Sequence, residues 1–311
     1  MPTALLSHPA GLLHVMPIGH PEKVARLEYV NTALSAPEFA PLIRIDAPLA
    51  QDVHVLRAHP QSYIDQLRQS APETGSIPLD PDTHMSPGTL EAALRAAGGN
   101  VKAVDMVMAG DVGNAFVAMR PPGHHAETAK PMGFCLFGSV VIGARHALDA
   151  HGLQRVAIMD FDVHHGNGTQ DLVWDDARIL FASTHQMPLY PGTGARDETG
   201  AHGNVLNAPL DSGAGGAEFR AVMEREILPA LDAFAPELVM ISAGFDAHAD
   251  DPLANLNFTE DDFVWATEKL CDVADRHANG RVVSTLEGGY DLQALAASTA
   301  AHVKVLMERA A

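Results

Sequence analysis

A chain of 311 residues with 47% hydrophobic side chains is long enough for one large α/β domain or two ordinary ones, with a substantial core. Its 20 basic and 39 acidic residues leave a net charge of -19, and no Lys/Arg-rich run occurs, which excludes nucleic acid and anionic membranes as natural partners. No run reaches the roughly 18 apolar residues of a membrane span, and Met1 to His20 lack a basic region followed by an apolar core, so no secretory leader is expected.

Two cysteines, Cys135 and Cys271, are too few for a disulfide framework and fit a reducing cytoplasm. The acidic balance has two readings, attraction of cationic substrates and solubility alone. The 17 histidines, several of them clustered, raise the expectation of a metal.

Taken in order, Ala4 to Ser7 predicts a first strand, and His8 to Pro21, rich in Pro, Gly and His, predicts a loop. Val24, Leu27 and Val30 recur at helical spacing, with His20 just before them as a loop-to-helix packing residue. A short helix begins near His59, with Tyr63, Ile64 and Leu67 on one side. Pro72 to Gly88 has no clear period and predicts a loop of functional length. Thr89 to Met108 predicts a long Ala-rich helix that stops at Gly110.

Asn114 to Met119 predicts a buried strand that delivers Arg120-Pro121-Pro122-Gly123-His124-His125 at its C-terminal end. A helix over Ser139 to Ala150 precedes a third buried strand, Val156 to Met159. Strands follow at Ile179 to Ser183, Val205 to Leu210, Leu238 to Ala243 and Arg281 to Leu286. Helices follow at Ala217 to Phe234, Phe258 to Ala278 and the C-terminus. The loop Thr184 to Gly203 carries His185 and Tyr190.

The segment Asp160-Phe161-Asp162-Val163-His164-His165-Gly166-Asn167-Gly168 organises the rest. Extended backbone alternates faces, so Asp160, Asp162 and His164 are expected to point one way, with His165 opposite and structural. Two carboxylates and an imidazole on one face suit a divalent ion, because buried carboxylates are costly without a cation between them. Helices and apolar strands alternate throughout, the pattern of a mainly parallel sheet with helices on both faces. Ligands of such sheets bind beyond the carboxyl ends of the strands, where His124/His125, Asp160 to His164, Asp246 and Tyr290 all fall. With no repeat or linker, residues 1–311 predict one domain.

Pro-Pro-Gly-His-His at 121–125, Asp-Phe-Asp-Val-His-His-Gly-Asn-Gly at 160–168, Ser-Ala-Gly-Phe-Asp at 242–246 and Glu-Gly-Gly-Tyr at 287–290 together resemble the zinc-dependent histone deacetylase family. The likeness is greatest to its class II branch and the bacterial deacetylase-like amidohydrolases. The resemblance implies an open α/β fold of the arginase/deacetylase kind, with a mainly parallel eight-stranded sheet. It implies hydrolysis of an acylated amine, acyl-lysine or a small amide such as an acetylpolyamine, by metal-activated water.

Carried over by motif, Asp162, His164 and Asp246 would bind Zn2+, or Fe2+ in its place, leaving a position open for water and substrate. His125 would be the general base and His124 an electrostatic partner held by Asp160. Asn167 stands where class I relatives carry an aspartate that pairs with the second histidine. Tyr290 would donate to the oxyanion, with Gly288 and Gly289 letting the backbone pass close. Asp160, Asp162, His164 and Ser183 would form a K+ or Na+ site. Phe134 after Gly133, together with Tyr190, would wall an acyl-lysine channel. Leu253 occupies a rim position where the polyamine-selective branch carries a glutamate. Cys135 reads as packing beside the channel. Relatives in bacteria often form homo-oligomers.

Two rival readings remain at this level. An arginase-like hydrolase with two manganese ions would need a carboxylate at Gly166, although His248 offers an extra ligand. A non-catalytic acyl-ligand binder would keep the pocket without turnover.

Overall fold

The computed structural model describes residues 1–310. Among the described residues ten strands form: β1 (Thr3–Ser7), β2 (Ile43–Asp46), β3 (Ile77–Pro78), β4 (His84–Met85), β5 (Asn114–Val117), β6 (Val156–Asp160), β7 (Ile179–Gln186), β8 (Val205–Leu210), β9 (Leu238–Ala243) and β10 (Val282–Leu286). Eight of them make one sheet in the order β2-β1-β5-β10-β9-β6-β7-β8, and every neighbouring pair in it is parallel. The expected eight-stranded α/β architecture is present.

Alternation along the strands sends side chains to two separate cores. Val156 and Ile158 of β6, Ala115 and Val117 of β5, and Leu238 and Met240 of β9 pack on one face, under helices Thr89–Ala109 and Ser139–His151. Ala157, Met159, Phe116, Val239 and Ile241 point to the other, under helices Glu260–His277, Leu292–Arg309 and Ala25–Ala33. Burial on both faces is why these strands read as continuous apolar runs. On the second face Phe161 lies 6.0 Å from Phe245 and 5.8 Å from Phe263, ring to ring; such a fully buried ring contributes about 3–5 kcal/mol.

Local departures from the sequence reading have local causes. β2 carries Arg44 and Asp46 and is largely exposed, so it has no apolar run to announce it; its register comes from β1. The segment Pro72 to Gly88 contains the two-residue strands β3 and β4. β7 continues to Gln186 because β8 supplies partners as far as Leu210, which draws His185 out of its expected loop and into the sheet. Helix Glu260–His277 begins after Thr259, whose N–H donates to Asp262 Oδ2 at 2.9 Å in a capping box. The helix expected over Ala217 to Phe234 contains a π turn, Met223–Ile227, just ahead of Pro229, which has no N–H to continue the α pattern.

Candidate active site and metal centre

The four motif-bearing strands β5, β10, β9 and β6 are direct neighbours in the sheet, although they are far apart in sequence. Their carboxyl ends therefore open side by side. β6 ends at Asp160, so Asp162 and His164 are not strand residues. This corrects the face-alternation argument: the segment beyond the strand is a bend, and carboxylates fix it. Asp160 Oδ1 accepts the Asp162 N–H at 3.0 Å, and Asp162 Oδ1 accepts the His164 N–H at 2.9 Å. Side-chain-to-backbone turns of this kind are a common use of aspartate.

Asp246, arriving from β9, accepts the Val163 N–H through Oδ1 at 2.9 Å and turns Oδ2 to within 3.1 Å of His164 Nδ1. Asp162 Oδ1 lies 3.2 Å from the same nitrogen. Each of Asp162, His164 and Asp246 offers a ligand atom within 4.8 Å of the others, and all three residues are buried. Burial, and then Asp162, raise the Asp246 carboxyl above its ordinary range. Burial opposes protonation of His164, but the two carboxylates outweigh it and bring the imidazole to about 10. Carboxylates converging on one nitrogen in a dry site match a divalent cation. The backbone is shaped to them: a Cβ at Gly288 would lie 2.1 Å from Asp246 Oδ2, and one at Gly244 would lie 2.0 Å from Asp162 Oδ2.

The histidine pair comes from the turn after β5. Its rings stand 4.0 Å apart. His124 Nδ1 meets Asp160 Oδ2 at 3.0 Å, and His125 Nδ1 meets Asn167 Oδ1 at 2.7 Å. Burial works against a charge on His124, but Asp162 and Asp160 overcome it and hold it well above its ordinary value. Burial, reinforced by His124 and His164, pushes His125 well below. Glu287, at the end of β10, accepts the Gly123 N–H at 2.7 Å and the His124 N–H at 3.2 Å and fixes this turn.

Tyr290 is buried apart from a small exposed edge. Burial raises its phenol well above the ordinary value, so the hydroxyl keeps its proton for donation. Arg26 lies over its ring at 4.8 Å, and Asp251 Oδ2 accepts its backbone N–H at 2.7 Å. A cavity of about 190 Å3 reaches these groups, lined by Asp82, His125, Gly133, Phe134, His164, Leu189, Tyr190, Leu253 and Tyr290. Phe134 and Tyr290 approach ring to ring at 5.9 Å, and Tyr190 and His125 at 5.3 Å. Gly133 sits against His125, where a Cβ would lie 2.3 Å from the ring. Burial, and then Asp80, raise Asp82 on the cavity wall to about 6.

Some expected residues take other places. Gly289 is outside the cavity lining: its carbonyl accepts from Arg26 Nε at 2.6 Å, and its φ of 122° is open only to glycine without strain. Its backbone thus shapes the approach to Tyr290, as expected of a glycine that lets the chain pass close. Ser183 pairs in register with Asp160, and its hydroxyl lies 2.8 Å from His185 Nδ1. His248 is turned away: its Nδ1 accepts the Asp250 N–H and its Nε2 lies 3.6 Å from Glu260. A Cβ at Gly166 would lie 2.3 Å from Asp160 Oδ2, so there is no room for the second-metal carboxylate of an arginase-like site. His165 is held between Thr193 and Gln170, as a structural histidine would be. Cys135 is buried, and burial pushes its thiol well up.

Sequence reasoning missed a buried charged cluster behind Tyr290. Glu22 pairs with Arg120 and, at 3.0 Å, with Arg26; Arg26 also donates to the Glu287 carbonyl at 2.5 Å. Glu22 and Arg26 share a helical spacing, but nothing local connects them to Tyr290, more than 260 residues away. Asp251 and Asp82 carried a weaker signal, as acidic residues beside Pro252 and Pro81 in loops.

The chain matches the histone deacetylase domain over residues 20–306. It is 39% identical over 308 residues to histone deacetylase 14, chloroplastic, of Arabidopsis thaliana, covering 93% of this chain and 73% of that protein. It is 41% identical over 248 residues to the histone deacetylase-like amidohydrolase of Pseudomonas aeruginosa, covering 78% of this chain and 65% of that one. The crystal structure of the HDA15 HD domain superposes with a TM-score of 0.94 at 32% identity, over 99% of this chain and 89% of that domain. No helix among the described residues is long and apolar enough to cross a membrane. The domain match, the relatives and the shared eight-stranded fold place the chain in the histone deacetylase family, as a deacetylase hydrolase whose substrates are acylated amines.

Proposed function

We propose that this deacetylase is a zinc-dependent amide hydrolase acting on acyl-lysine, with the whole chain as one catalytic domain. The observation that carries the reading is the convergence of Asp162, His164 and Asp246 beside the His124–His125 pair, with His164, His125 and Tyr290 lining one small cavity. Asp162, His164 and Asp246 would hold the ion, zinc or ferrous iron. Such an ion acidifies water and polarises the amide carbonyl.

The protein's own groups supply the rest. His125 is kept neutral by burial and receives the proton of the attacking water at its Nε2, because Asn167 occupies Nδ1. It then passes that proton to the leaving amine. His124, tied to Asp160, favours the developing negative charge. The Tyr290 hydroxyl donates to the oxyanion, a contribution of roughly 10²–10³ in rate for donors of this type. Phe134, Tyr190 and Leu253 form an apolar sleeve suited to a methylene stem. Asp160, Asp162, His164 and Ser183 would bind K+ or Na+ behind the site. The cysteine content fits the cytoplasm, and assembly into homo-oligomers follows the habit of bacterial relatives.

One observation favours a second substrate class, acetylated polyamines: Asp82 brings a carboxyl to the cavity wall of a chain with net charge -19. A panel of acetyl-lysine peptides, acetylpolyamines and longer acyl amides, run on zinc-loaded protein, decides between them. Highest kcat/KM on an acetyl-lysine peptide is expected. Highest kcat/KM on acetylspermidine would move the assignment to the second class, and no turnover of any amide would overturn both.

A further inference from the structure

A second set of ligand-type side chains lies where helices Thr89–Ala109 and Ser139–His151 pack together, remote from the cavity. Asp105 Oδ1 is 2.7 Å from His146 Nε2 and 2.8 Å from His151 Nε2. The two imidazoles meet nearly at right angles, with centroids 5.4 Å apart, and both present Nε2 to the one oxygen. Candidate ligand atoms of all three residues fall within 4.8 Å of one another. We propose that Asp105, His146 and His151 form a second metal site, for a divalent transition ion such as zinc or nickel.

The donor set selects the ion. Two imidazoles and one carboxylate are borderline ligands that suit zinc, nickel or copper, and they are too few in oxygen for calcium or magnesium. The three residues also differ usefully in freedom. The His146 side chain is only 9% exposed and fixes one corner, whereas His151 at 26% and Asp105 at 43% have room to adjust. Zinc–ligand bonds of about 2.0 Å put tetrahedral ligand atoms roughly 3.3 Å apart, so Asp105 Oδ1 has to draw back from both nitrogens to admit an ion, and the two more exposed side chains have room to do so. His54 stands edge-on to His146 at 5.7 Å, but its Nδ1 accepts the Gln51 N–H, and it is outside the converging group. Three protein ligands leave the remaining position to water, as expected at a surface.

The ion would replace the two hydrogen bonds that the imidazole Nε2 atoms now make to Asp105. It would tie together the two helices that cover one face of the sheet. It also bears on metal counting: a second equivalent per chain need not lie beside the catalytic one.

The test compares the full chain with His151→Ala and Asp105→Asn, each stripped with chelator, dialysed against micromolar zinc chloride at neutral pH and assayed for bound metal. The native chain is expected to hold one more equivalent of zinc than either variant, while both variants keep native deacetylase turnover. Equal zinc in all three would mean a hydrogen-bonded helix clamp only and would overturn the proposal. A nickel titration of Asp246→Asn gives an independent reading. That variant should still bind one equivalent, lost in the Asp246→Asn/His151→Ala double variant; unchanged binding in the double variant would also overturn it.

Discussion

The side-chain oxygen of Asn167 lies 2.7 Å from Nδ1 of His125, while its amide donates to Glu127 Oε1 at 2.8 Å. The histidine assigned as general base is thus oriented by an uncharged group, and burial is left free to depress it. Replacing Asn167 by Asp puts a carboxylate against Nδ1, which favours the imidazolium. The acidic limb of the kcat/KM profile should move to higher pH. A profile that does not move would remove His125 from the role of base.

Tyr290→Phe removes one hydroxyl from a ring otherwise held by Phe134 and Arg26. Turnover should fall by roughly 10²–10³, with bound metal and melting temperature close to native. Native turnover in that variant would contradict the oxyanion role.

Asp246→Asn keeps an oxygen for the Val163 N–H but loses the charge that faces His164. Affinity for the catalytic metal should drop by more than the roughly 10–100-fold typical of outer-shell changes, and activity should fall with it. Elemental analysis against the native chain measures this, and native metal content at the cavity would refute the ligand assignment.

His302 is outside the cavity lining, beneath Phe161 and Phe245, packed between Thr267 and Ser284 hydroxyls and buried enough to be pushed down to about 3. Its ordinary value near 6.5 applies in the unfolded chain. The unfolded state therefore binds the extra proton, and stability is lost as pH falls from about 6.5 toward 3. At pH ~5 the loss from this group is about 2 kcal/mol. His302→Gln cannot lose it, so its destabilisation relative to native should shrink by about that amount between pH ~7.5 and ~5. Urea unfolding at both values checks this, and a pH-independent difference would rule the titration out.

The sequence by itself determined the alternation of apolar strands and helices, and hence a parallel sheet covered on both faces. It also located the chemistry, because motifs after buried strands can only emerge at the carboxyl edge. His124, His125, Asp162, His164, Asp246 and Tyr290 were all legible in this way, since residue type and local order carry that information. Tertiary structure decided what they do to one another. Strand order made β5, β10, β9 and β6 neighbours, bringing Asp246 to within 3.1 Å of His164. It set Arg26 against Tyr290 and against the Gly289 carbonyl. It also drew Asp105, His146 and His151 from two helices to a single oxygen. Distances between residues remote in the chain depend on how whole elements pack, and no local pattern encodes them.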